Sequence, residues 1–223
     1  MTSFVINIAI DPDGLETIYS AELAVTLAQP VDSYVTGPRT GAIATGPDSK
    51  YPIAWIAFKP FQSNEVVVEL DWFMFMTTTP LSQFNTLEIN SRTDAPAVAG
   101  LEYCFRNGHF VLPVPTGQTD PDAYCVVNQA SGQNIAFGLA QGATVNGEAL
   151  GCAVVSATPV PLNMQASFYS RHVIDVFLSS CTRNGTILPY LPSDRLRLAV
   201  DATRPANVRY NNATKRFYLV SPT

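Results

Sequence analysis

The sequence predicts an all-β fold: an antiparallel β-sandwich or jelly-roll-like arrangement with several hairpins and little helix. Three observations carry that prediction. Short apolar runs alternating with period two recur along the chain. The 13 Gly and 17 Pro residues lie between the runs as punctuation. Asn107-Gly108, Asn146-Gly147 and Asn184-Gly185 each sit between two such runs. A type I′ hairpin turn needs positive φ at both central residues, which Asn-Gly tolerates best. The 223 residues are read as one domain, 1–223, with the Thr116–Asp122 loop as the candidate seam.

Taken in order, Phe4–Ile10 opens as a strand, and Asp11-Pro12-Asp13-Gly14 reads as a turn. Glu16–Ala28 has features of an amphipathic helix. Tyr19, Ala21, Leu23, Val25 and Leu27 nevertheless alternate with Ser20, Glu22, Ala24, Thr26 and Ala28, which favours a strand. Pro30–Pro52 is rich in Gly, Pro, Ser, Thr and Asp and reads as the longest loop. Ile53–Lys59 and Val66–Met76 are two strong strands joined by a turn at Pro60–Asn64. The second places Val66, Val68, Leu70, Trp72, Met74 and Met76 on one apolar face, with Glu69 and Asp71 on the other. Such a strand lies between a core and a partly wet surface.

The Asn-Gly pairs predict three hairpins. They join Leu101–Arg106 to His109–Val114, Ala143–Val145 to Ala149–Ser156, and Val173–Arg183 to Thr186–Leu188. Further strands are predicted at Leu87–Asn90, Tyr124–Asn128, Asn134–Gly138, Leu196–Ala199 and Arg216–Val220.

Composition narrows the function classes. Hydrophobic residues make up 47% of the chain and charged residues 14%, enough apolar surface for a sizeable core. The net charge of −5, with basic residues scattered, repels phosphate backbones and argues against nucleic-acid binding. Met1–Ile10 has no basic, apolar leader pattern, so a cytoplasmic location is expected. No run approaches the roughly 20 apolar residues of a transmembrane segment. Cys104, Cys125, Cys152 and Cys181 lack the close pairing of zinc ligands and are expected as free thiols.

Catalytic patterns are weak, and neither cofactor nor metal is expected. Gly41–Gly46 has the glycine spacing of a phosphate loop, but Pro47 stands where the lysine belongs. Asp11, Asp13 and Glu22 match three positions of a calcium loop without its central glycine. His172 and Asp175 would lie on opposite faces of one strand. Glu69 and Asp71 share a face at about 6–7 Å, near the spacing of glycosidase carboxylates, and leave a carboxylate-dependent hydrolase as an alternative.

Two segments combine aromatic rings with polar side chains that can fork hydrogen bonds to sugar hydroxyls. Thr116–Tyr124 supplies Asp120, Asp122 and Tyr124; Asp201–Asn212 supplies Arg204, Tyr210 and Asn211. The block Phe137–Gly147 and the stretch Phe177–Leu219 resemble the cytosolic defence lectins of mushrooms and other fungi. That resemblance implies glycan binding, homodimerisation and defence against grazing animals. The other reading is a toxin-like pore former or assembly subunit, with Trp72–Met76 as its interface or insertion element.

Overall fold

The computed structural model describes residues 3–37, 43–44, 51–114, 119–132 and 134–220. The chain begins with β1 (Ser3–Ala9), α1 (Pro12–Ser20), β2 (Ala24–Ala28), β3 (Val31–Thr36), β4 (Ile43–Ala44), β5 (Ile53–Ala54) and β6 (Ile56–Phe58). It continues with β7 (Ser63–Thr77), β8 (Ser91–Arg92), β9 (Glu102–Arg106), β10 (His109–Val114), β11 (Tyr124–Asn128), β12 (Ala136–Val145) and β13 (Glu148–Val154). The last third holds β14 (Thr158–Pro159), β15 (Gln165–Ser170), β16 (Val173–Ser179), β17 (Thr186–Ile187), β18 (Leu196–Ala199), β19 (Ala206–Asn211) and β20 (Arg216–Leu219).

The all-β prediction holds. Among the described residues, the largest sheet runs β13-β12-β7-β1-β19-β20, with β14 on β12 and β8 on β7. A six-stranded sheet runs β10-β9-β11-β15-β3-β4, a four-stranded sheet β18-β16-β2-β6, and β17 pairs with β5. The two larger sheets face each other through aromatic contacts. Phe105 of β9 meets Phe137 of β12 edge-on at 5.3 Å, and Trp72 of β7 lies 6.4 Å from Tyr124 of β11. The pairs β1–β19 and β9–β11 are parallel, so the sheets are mixed where a purely antiparallel sandwich was expected.

β7 shows how the pattern becomes packing. Val66, Val68, Trp72, Met74 and Met76 are buried on its predicted core face. Phe75, on the opposite face, is also buried, in a second cluster with Ile53, Leu87 and Ala140. Trp72–Met76 is therefore packed in the interior, apart from half-buried Phe73. Two hairpins form as predicted. Asn107 and Gly108 take φ of 53° and 84°, and Asn146 and Gly147 take 51° and 82°, the pairing a type I′ turn demands. The second hairpin's first strand is longer than expected, because Asn134–Gly138 and Ala143–Val145 merge into β12.

Other expectations fail where long-range partners or capping prevail. Asn184-Gly185 makes no hairpin: β17 pairs with β5, and Asn184 Oδ1 accepts the Ala57 N–H at 2.8 Å. Asp11-Pro12-Asp13-Gly14 is a helix start, with Asp11 Oδ1 accepting the Gly14 N–H at 2.6 Å and Pro12 opening α1. The Glu16–Ala28 strand thus divides into the end of α1 and β2. Glu22, at φ 53°, closes the helix; the Leu23 N–H reaches Ile18 O at 3.0 Å and the Glu22 N–H reaches Tyr19 O at 3.1 Å. The Pro30–Pro52 loop opens as β3, whose residues alternate between buried and half-buried. Ile53–Lys59 splits around Trp55, whose indole N–H donates to Gln141 O at 3.2 Å. Leu87–Asn90 forms no strand; its ends hydrogen-bond to Gly185 O and Met76 O. Apart from β4, the Gly41–Gly46 segment and Pro47 lie outside the described residues.

Candidate functional site

The two predicted binding segments fall on different sheets, and the structure does not join them. In the first, Asp120 and Asp122 are exposed. Asp120 Oδ1 accepts the Asp122 N–H at 3.0 Å, a turn held by its own side chain. Tyr124 turns inward against Trp72, and burial pushes its phenol up. Asp120's aromatic partner is instead Tyr169, whose hydroxyl donates to Asp120 Oδ2 at 3.3 Å. Tyr169 stands edge-on to Tyr34 at 5.7 Å, and burial, reinforced by Asp120, pushes its phenol up to about 12. Nearby in sequence, Arg171 grips Asp32 with two bonds of 2.7 Å.

The second segment is a strand where a loop was expected. β19 alternates, so Tyr210 points inward, 5% exposed and 5.3 Å from Phe217. Asn211 Oδ1 accepts the N–H groups of Ala213 and Thr214 and shapes the turn to β20. Tyr210 thus packs into the core, and Asn211 is exposed at the turn that its side chain shapes. Arg204 pairs with Asp201 at 2.9 Å, and both line a cleft of about 520 Å³ with Phe4, Arg197 and Leu219. Hydrogen bonds from Thr203 hold the Asp201 carboxyl below its usual range.

The residues weighed for catalysis are placed as follows. Asp11 is the helix cap. Glu69 is half-buried on β7 with its carboxylate over Gly142, where a Cβ would come within 2.2 Å of Glu69 Oε2. His172 precedes β16 at φ 49° and is exposed. Asp175 is fully buried and bonded to Arg195 and Arg197, so it orients no histidine. His109 is exposed after its hairpin turn. The four cysteines are unpaired, and burial pushes the thiols of Cys104, Cys125 and Cys152 up. Among the described residues no group of three His, Cys, Asp or Glu is placed to hold a metal, and no helix is long and apolar enough to cross a membrane.

A different site emerges where β16 ends. A cleft of about 580 Å³ is lined by the Ser180–Arg183 loop, Thr186, Leu188, Pro189, Tyr190 and Pro192, together with Phe84. Buried Phe177 and Leu188 contribute to its apolar lining. Exposed Ser180, Thr182 and Arg183 supply polar groups. The Ser180–Arg183 loop is shaped by its own bonds: the Cys181 N–H donates to Ser179 Oγ at 3.1 Å, and Cys181 Sγ donates to Arg183 O at 3.2 Å. Phe84 and Tyr190 are 71% and 70% exposed.

Phe84 also holds φ of +68°. A bulky residue there carries backbone strain of about 1–3 kcal/mol and persists only where its surroundings fix it. The fixing bond is the Phe84 N–H to Ile187 O at 2.8 Å. Tyr190 sits in Pro189-Tyr190-Leu191-Pro192, where two prolines restrict the backbone. An adjoining cleft of about 670 Å³ shares Leu23, Ser180 and Thr182 and adds Tyr19, Glu22 and Lys59. Sequence reasoning passed over Phe84 and Tyr190. The available signal was a lone aromatic residue in each of two polar or proline-bounded loops.

No protein-family model, curated protein or solved structure matches the chain.

Proposed function

We propose that the protein is a carbohydrate-binding protein that seats a sugar ring at the cleft rimmed by Phe84 and Tyr190. The observation that carries this reading is the coincidence of the two highly exposed aromatic rings with one cleft. A pyranose presents an apolar C–H face and a ring of hydroxyls. An exposed aromatic ring covers the first, and short hydroxyl side chains bond the second. Phe84 and Tyr190 supply the rings, and Ser180 and Thr182 supply hydroxyls. The cleft falls within the roughly 300–1,000 Å³ of small-ligand sites. The strain at Phe84 supports the reading further, because a left-handed bulky residue presenting its ring to solvent contributes nothing to the core.

Asp120, with Tyr169 and Tyr34, is retained as an accessory polar-aromatic surface. Self-association into a homodimer would make binding multivalent, and sedimentation of the purified chain reads that directly.

The test is a glycan array with the labelled protein and free-sugar competition. Competable binding is expected. Phe84→Ala and Tyr190→Ala should each lower affinity about tenfold, the scale of one aromatic contact, without changing the circular dichroism spectrum. Binding unaffected by both substitutions, or none that free sugar competes, would overturn the reading.

A further inference from the structure

Arg183 gives the cleft a chemical preference. Among the described residues lining it, Arg183 is the only charged side chain, and no carboxylate accompanies it. This stands out in a chain of net charge −5. Arg171, Arg195, Arg197, Arg204 and Arg216 each lie within 4.0 Å of an aspartate, whereas Arg183, like Arg92, Arg106 and Arg209, forms no ion pair among the described residues. Of these unpaired arginines, Arg183 is the one that lines the cleft with Phe84 and Tyr190. The adjoining cleft balances Lys59 against Glu22; this one is left with uncompensated positive charge beside two aromatic rings.

We infer that the Phe84–Tyr190 cleft selects saccharides bearing a carboxylate, with Arg183 holding the carboxylate while the ring lies on the aromatic rim. The inference rests on the carbohydrate reading and names the ligand class of the same site. A guanidinium offers parallel N–H donors that match the two carboxylate oxygens. Buried Phe177 and Leu188 form an apolar floor in the same cleft, and a charge pair beside apolar surface is screened less than one fully in water. A sialic acid and a uronic acid share this chemistry: a pyranose with an apolar face, several hydroxyls and one carboxylate.

Matched ligands separate the possibilities. Isothermal titration of the full chain would compare lactose with sialyllactose, and a galacturonic acid trisaccharide with its methyl ester. At least one acidic ligand should bind about tenfold more tightly than its neutral counterpart, the scale of a charge-assisted hydrogen bond, and added salt should erode the difference. Which acidic ligand is preferred identifies the source. Arg183→Gln should abolish the preference, so that the acidic ligand binds no more tightly than its neutral counterpart. Arg183→Lys should retain part of it, as a point charge without the fork. Equal binding of acidic and neutral ligands, lost in Phe84→Ala and Tyr190→Ala, would overturn the acidic preference and leave the carbohydrate reading standing. So would a preference that survives in Arg183→Gln, since the carboxylate would then be read elsewhere. Failure of every ligand, extended to the whole glycan array, would overturn both.

Discussion

Asp175 and Arg183 stand on the same stretch of chain, one within β16 and one in the loop beyond it, and the fold treats them in opposite ways. Asp175 is fully buried and receives N–H bonds of 2.8–3.0 Å from Arg195 and Arg197 across the β16–β18 pair. Those bonds also raise Arg197 above its ordinary arginine range. Arg183, by contrast, is exposed in the cleft wall with no acid opposite. A buried charge is tolerable only with its partners in place, so the first region is organised entirely for the folded state. The second leaves a charge and two large rings facing water, which contributes little to folding. The difference teaches where to seek function: at groups the packing could have satisfied and did not.

The comparison breaks first at Asp175. Asp175→Ala leaves two guanidiniums unpaired, but they are 26% and 47% exposed. Water therefore recovers part of the loss, and urea unfolding should show a decrease of about 2–3 kcal/mol, with glycan binding at the cleft retained in the folded fraction. A loss below about 1 kcal/mol would mean that the cluster behaves as a surface pair.

A paired substitution sharpens the contrast. Phe84 and Glu22 are both left-handed, and glycine relieves that strain at either position. Phe84→Gly and Glu22→Gly should each raise stability by about 0.5–1 kcal/mol, after the entropy glycine adds to the unfolded chain. Only Phe84→Gly should lose glycan binding. Equal retention of binding by both would separate strain from function at Phe84.

Smaller still, Arg183→Gln should change stability by less than about 0.5 kcal/mol, read in the same urea titration. The last effect is spectroscopic. Tyr169 ionises at about 12 when folded, whereas an unfolded tyrosine ionises near 10. The folded state holds the proton more tightly, so its stabilising contribution is complete below about pH 10 and fades as pH rises toward 12. Ultraviolet absorbance should show a late-titrating phenol, and Asp120→Asn should move it part of the way back, since burial is the larger cause.

The parts of the fold legible in the sequence were those fixed by local alternation or by a turn's backbone demand. β7 and β18 carry their burial pattern in the residues themselves, and Asn107-Gly108 and Asn146-Gly147 fix their own turns. Asn184-Gly185 has the same dipeptide, but bonds to Ala57 and Ala54 from a distant segment decide its place. α1 was legible in Asp11-Pro12, a cap followed by a proline suited to the first turn, and was obscured by the period-two pattern just downstream. The candidate binding residues were the least legible. Tyr210 stands beside two asparagines yet faces inward, because the alternation of β19 outweighs its polar neighbours. Phe84 faces outward because of one backbone bond to Ile187, a partner that no local pattern reveals.

The parallel pairing of β1 with β19 has a consequence for how the chain reaches this structure. Ile6 lies opposite Ala206 and Ile8 opposite Val208, so an interior seam of the largest sheet joins the two ends of the sequence. Loop closure over that separation precedes any reward from the contacts, which places folding in the slow range for β proteins, on the order of milliseconds to seconds or longer. During synthesis β1 can find β7 early, but its other edge stays open until β19 has emerged from the ribosome. In that interval the exposed edge is the point most open to pairing with another nascent chain, and a truncation before Ala206 makes that condition permanent.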